Sequence, residues 1–227
     1  MNIESRIKKL IGHSDKLLTF YLGTVRKYSI LDPMIFSQDV CGRFGSGKAD
    51  SGYRLLRSTL FYSVVQDIAN LFYDHGKTNP SVMNIYKMID DGKIIDELRK
   101  RYITEYIPDE ALKVFYKHRS HERTIEFNKY KKELCDQIKT IEKDQKLRAI
   151  KSIRDKFTAH IDLQFTNDNY EYHDIAKYSL KWNSLKRVLN DLKPIIESIG
   201  FVVRGADFAW DSFEQQNQKI ADGLWNK

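Results

Sequence analysis

Apolar residues return at steps of three and four along almost the whole chain, and this pattern excludes most architectures. From Ile3 to about Tyr28 the spacing is kept by Ile7, Leu10, Ile11, Leu17, Leu18, Tyr21, Leu22 and Val25, the period of one helix face. Breakers are scarce: 227 residues contain four prolines and eleven glycines, too few for a protein of short strands and turns. The expected fold class is all-α, a helical bundle in a single domain over residues 1–227. The basic helix of residues 110–143 is expected to extend from it.

The punctuation sets the elements. Asp32-Pro33 is expected to end the first helix. A glycine-rich loop is expected over about Cys41 to Gly52. The next segment, "YRLLRSTLFYSVVQDIANLFYDH", carries apolar residues on several sides, as a central core helix does. Ser81 is the expected N-cap of a short helix over 81–89, and a second should cover 93–106. From Pro108 the helical pattern runs to about residue 162. Its stripe of Phe127, Tyr130, Leu134, Ile138 and Ile141 skips at "EKDQK" to Leu147, Ile150, Ile153 and Phe157. A skip of that kind needs a phase slip or a short turn, with Asp144 as the new N-cap. "QFTNDNY" reads as a loop. Asp174 is expected to cap the following helix, Pro194 to bend it, and Gly200 or Gly205 to close it. "GFVVR" allows a short extended piece, and a last helix is expected from near Ala206.

Composition narrows the class. Hydrophobic residues make up 41 % and aromatic residues 12 %, which suits a packed core and not a disordered chain. "MNIESRIKKLIGHSDKLLTFYL" has charges throughout and no small-residue cleavage site, so no signal peptide is expected. No run approaches the apolar length of a membrane span, so no membrane partner is expected. Cys41 and Cys135 fit no metal or disulfide spacing and point to a reducing, cytoplasmic setting. The net charge is +7. Between Lys113 and Lys156 fourteen Lys and Arg face seven Asp and Glu, so the whole excess lies in that stretch. Localised positive charge attracts a polyanion by releasing its counterions. A solvated helix laced with i,i+4 ion pairs would give the same count.

Four segments offer chemistry. "GRFGSGKA", Gly42 to Ala49, nearly spells a phosphate-binding loop, but Ala49 stands where a hydroxyl should hold magnesium and no strand is expected before it. His118, His121 and Glu122 share a helix face at a metal-ligand spacing, but no third histidine or cysteine on a matching partner helix accompanies them. "EYHD", Glu171 to Asp174, is weaker still. No metal and no cofactor is therefore expected.

The fourth segment is "IRDKFTAHID", with Arg154 and His160 six positions apart. On an ideal α-helix six residues turn through about 240° net, so the two are not on one face. Lys156 and His160, four apart, are. Periodicity alone therefore does not make this a reaction centre.

An arginine, a polar residue and a later histidine near a helix end in an all-α chain resemble the HEPN superfamily. The local form "RDKFTAHID" is similar to its AbiU-type abortive-infection branch. The resemblance implies a helical bundle that dimerises and brings two motif helices together in a composite cleft. It implies an endoribonuclease that needs no metal, acting as a toxin or anti-phage effector, with RNA as substrate. By motif position Arg154 and His160 would be the catalytic pair and Asp155 their polar neighbour. Lys156 would add positive potential, and Asp162 would orient the imidazole or pair with a lysine. Lys146, Arg148 and Lys151 would contact RNA.

In HEPN toxins paired with a nucleotidyltransferase antitoxin, the modified tyrosine lies two residues after the histidine. Asp162 holds that place here, so control by that modification is not expected, although an antitoxin or defence-system partner remains open. The rival reading is a HEPN-fold RNA-binding or assembly module without catalysis. A third is an unrelated helical interaction protein.

Overall fold

The computed structural model describes residues 2–44, 47–74, 76, 78–104, 112, 119–158, 163–166, 169–172, 178 and 180–225. The chain is all-α. Helix α1 spans Ile3–Phe36, α2 Gln38–Phe44, α3 Asp50–Tyr73, α4 Val82–Ile89 and α5 Gly92–Thr104. Helices α6, Ser120–Ile141, and α7, Gln145–Ile153, follow. Helices α8, Trp182–Arg204, and α9, Trp210–Trp225, close the chain. A small antiparallel hairpin, β1 Leu163–Thr166 and β2 Asn169–Tyr172, lies between α7 and α8. Its register pairs Leu163 with Tyr172 and Thr166 with Asn169. The expected loop at "QFTNDNY" is thus largely strand, since Phe165, Tyr170 and Tyr172 are strong strand formers.

The described residues gather into two compact units, each assembled from three separated stretches. One holds residues 1–19, 71–143 and 191–208, the other residues 20–70, 144–190 and 209–227. Neither is a contiguous piece of chain.

In the first unit, Ile7, Leu10, Phe72, Ile85, Ile94 and Phe127 are fully buried. Ser81 caps α4 by accepting from the Asn84 amide, as expected. Asp91 does the same for α5, accepting from the amides of Lys93 and Ile94, and pairs with Arg6 at 2.8 Å. The basic helix α6 does not extend outward over its described length. Its stripe of Phe127, Leu134 and Ile138 has no exposed surface, because three such side chains each contribute about 1.5–3 kcal/mol on burial. Gly205, at φ +63°, closes α8 with its amide on the Phe201 carbonyl. "GFVVR" is therefore helical up to Arg204, where Val202 and Val203 are buried. The last helix starts at Trp210, a few residues later than expected.

In the second unit Pro33 lies inside α1 and does not end it. Continuing the helix buries Leu31 and Met34 completely. Two such burials, at about 1.5–3 kcal/mol each, offset the roughly 3 kcal/mol an internal proline costs. The expected loop at 41–52 is mostly helical: α2 reaches Phe44, a short 3₁₀ turn covers Gly47–Ala49, and α3 starts at Asp50. The reason is tertiary. Val40, Met34, Tyr53 and Trp225 form a buried cluster, and Phe44 stacks on Tyr53 at 6.1 Å and meets Trp225 edge-on at 5.7 Å. A helix, not a strand, precedes Gly42, so the near-match to a phosphate-binding loop lacks the architecture it requires.

Candidate functional site

The sequence break at "EKDQK" is where the structure begins the site. Helix α6 ends at Ile141, and Asp144 restarts the chain by accepting from the amides of Lys146 and Leu147 at 2.8 and 3.0 Å. Its other carboxylate oxygen lies 3.8 Å from Arg187. Helix α7 then buries Leu147, Ile150 and Ile153. This fixes the rotation with which the chain reaches Arg154.

Residues Arg154–Thr158 are wound as a π-helical turn. The expectation from ideal α-helical phase does not carry through them, because a π turn accommodates an extra residue between hydrogen-bonded partners. Such turns occur often at functional sites.

Arg154 is fixed from two sides. Its Nε and Nη2 both donate to one oxygen of Asp155, at 2.8 and 2.6 Å. Its Nη1 donates to the side-chain oxygen of Asn70 on α3, at 3.1 Å. The side chain is 18 % exposed. Neighbouring residues on a regular helix face apart, so the arginine folds back along the coil to reach Asp155. The second Asp155 oxygen lies 3.4 Å from the Lys151 ammonium, one α-helical turn earlier. One carboxylate thus links two cations and holds the guanidinium plane.

Asn70 was not marked by the sequence reasoning. It belongs to a polar stripe on a helix otherwise read as core. Ser63, Asp67 and Asn70 follow one another at steps of four and three and share a face. Asp67 is buried and pairs with Lys27 of α1 at 2.6 Å, and the same ammonium donates to Ser63 at 3.0 Å. Three polar residues at helical spacing inside "FYSVVQDIAN" were the available signal.

Of the other sequence candidates, Lys146 and Lys151 are half-buried and Arg148 is exposed on α7, and Lys156 is half-buried in the π turn. His160 and Asp162 lie outside the described residues, as do His118, His173 and Asp174. The cap expected from Asp174 lies there too. His121 and Glu122 are exposed, and Glu122 pairs with Arg119 at 3.0 Å. Among the described residues no group of three His, Cys, Asp or Glu side chains has a metal-binding arrangement, and no helix is long and apolar enough to cross a membrane.

The family model AbiU2, of the HEPN type, matches residues 7–224. The chain belongs to the AbiU2 family. It is a HEPN-type abortive-infection protein, and the match runs through both compact units and the Arg154 turn. No curated protein and no solved structure gives a significant match. In this AbiU2-family protein the fixed Arg154, the shared Asp155 and the basic α7 form one local constellation, and all the described members lie in the second unit.

Proposed function

We propose that the protein is a metal-independent endoribonuclease of the HEPN type. It would act as a toxin or anti-phage effector in the cytoplasm, as a homodimer with an Arg/His composite site at the interface. The observation that carries this reading is the fixing of Arg154 by Asp155 and Asn70 in a π-helical turn. A guanidinium held in one plane suits phosphoryl oxygens on which negative charge accumulates.

RNA supplies its own nucleophile. The 2′-oxygen forms a bond to phosphorus as its proton leaves. The bond from phosphorus to the 5′-oxygen breaks, and that oxygen takes up a proton. Histidine is the side chain whose ordinary pKa lies near neutrality, and His160 moves one or both protons. Arg154 stabilises the charged phosphoryl group. Asp155 positions Arg154, Lys156 adds positive potential and Asp162 orients the imidazole. Lys146, Arg148 and Lys151 hold the flanking backbone.

The test is cleavage of RNA by the full chain in excess chelator, beside His160→Ala. Cleavage that persists in the variant, or that needs magnesium, sinks the mechanism. The contact of Arg154 with Asp155 and Asn70 also favours a second reading, since a structural latch would look the same. In that case the protein is an RNA-binding or assembly module. RNA would then be bound by the wild-type chain and never cut.

A further inference from the structure

Arg57 is held unlike the ion-paired arginines of this protein. It sits on α3 with its guanidinium 5.8 Å from the Tyr53 ring centre and 5.6 Å from that of Trp182. Its Nε is buried and has no hydrogen-bond partner among the described residues. The nearby carboxylate, Asp50, is engaged by Arg54 at 2.8 Å instead. A cation held against two rings is attracted by their faces, and its outer donors can meet an anion at the edge.

Two hollows flank this arginine on the same unit. One, of about 270 Å³, is lined by Cys41, Asp50, Tyr53, Arg54 and Arg57. The other, of about 210 Å³, is lined by Ser58, Phe61, Tyr62, Leu180 and Trp182. The second is an aromatic slot. Trp182 meets Phe61 edge-on at 4.8 Å, which fixes the indole while leaving the residue 41 % exposed. An exposed indole braced by a second ring and flanked by a cation has the features of a stacking platform for a single base.

We propose that this face of α3 is a subsite for one nucleotide of single-stranded RNA. Its base stacks on Trp182 beside Tyr62 and its phosphate meets Arg57. The proposal rests on RNA being the substrate class. Asp50 opposes an anion in the first hollow, and its pairing with Arg54 reduces that opposition. Tyr62 stands eight residues before Asn70, about 12 Å along the helix axis, so α3 carries both the slot and the support of Arg154. Leu55 and Leu56, 69 % and 46 % exposed, line neither hollow. A protein surface would use those leucines, whereas a cation held against aromatic rings answers a base and its phosphate.

The experiment is equilibrium binding of a labelled single-stranded oligoribonucleotide to the full chain carrying His160→Ala, with tryptophan emission as a second readout. Trp210 and Trp225 are buried, so quenching reports chiefly on Trp182. Trp182→Leu should weaken binding about tenfold and remove most of the quenching, within the range for loss of one stacked base. Trp182→Phe keeps a ring and should retain most of the affinity, which also controls for folding. Arg57→Ala should weaken binding and reduce its salt dependence by about one phosphate contact.

Equal affinity of the wild type and Trp182→Leu overturns the subsite, as does the absence of any RNA binding. The same holds if Trp182→Leu leaves RNA binding intact and lowers the oligomeric mass, since the surface is then a protein interface. The ribonuclease reading fails separately: a chain that binds through Trp182 and never cuts keeps the subsite and loses the chemistry.

Discussion

Arg154 and Arg57 belong to the same compact unit and are held in opposite ways. Arg154 is gripped by acceptors, a carboxylate oxygen on one side and an amide oxygen on the other. Arg57 is gripped by ring faces and buries an Nε that has no acceptor among the described residues. Acceptors fix direction, because a hydrogen bond weakens steeply when it is bent. Ring faces hold charge and plane but tolerate sliding. The first arrangement suits a group that must meet one developing charge at one place. The second suits a nucleotide whose base identity does not matter.

Lysine substitution separates the two most sharply. Lysine keeps the charge and loses the planar fork. At Arg154 the fork sets the geometry, so Arg154→Lys should lower the turnover number for RNA cleavage about 100-fold, the scale for losing one aligned transition-state donor. At Arg57 a charge against rings is most of what is needed, so Arg57→Lys should weaken oligoribonucleotide binding only about threefold. Cleavage rates and binding isotherms on both variants check this. If the two substitutions behave alike, the contrast between directional and diffuse holding is wrong.

A smaller effect tests the grip itself. Asn70→Ala removes the acceptor for Nη1 and should reduce kcat/KM about tenfold, the lower end of what a hydrogen bond to a charged group supplies. Asn70→Asp restores an acceptor at the same reach and should recover most of that loss, with thermal stability of both variants measured in parallel. A loss that tracks stability in both variants would make Asn70 structural and not a positioning residue for Arg154.

The path from sequence to this site was legible in parts, for identifiable reasons. The restart at Asp144 and the burial of Leu147, Ile150 and Ile153 follow from a skipped stripe and a capping residue, both of which are local. The π turn at Arg154–Thr158 was not legible, since residue spacing gives a period and says nothing of a widened turn within it. Pro33 and the segment of residues 41–52 were misread for a common cause. Proline and glycine report what the backbone allows, while the helix through Pro33 and the helix that ends at Phe44 are decided by distant partners such as Tyr53 and Trp225. Asn70 was hidden because the helix around it is apolar on several sides, so three polar positions on one face passed as exceptions.

The smallest expected effect concerns the start of α7, which sets the rotation of Arg154 without touching it. Asp144→Ala removes the acceptor of two backbone amides and the partner of Arg187. Losing a side-chain cap costs about 1 kcal/mol, which for a chain of this length lowers Tm by about 2–4 °C. The apolar stripe of α7 remains buried in the variant, so the helix still forms and Arg154 still emerges toward Asn70. RNA cleavage measured well below the lowered Tm should therefore stay within about twofold of wild type, a small fraction of the barrier change expected at Arg154. If Asp144→Ala instead removes cleavage while the Tm falls by only those few degrees, then the cap and not the buried stripe aligns the arginine. The fixed geometry of Arg154 would have to be traced to the turn at residues 142–144, one helix earlier than the contacts with Asp155 and Asn70 suggest.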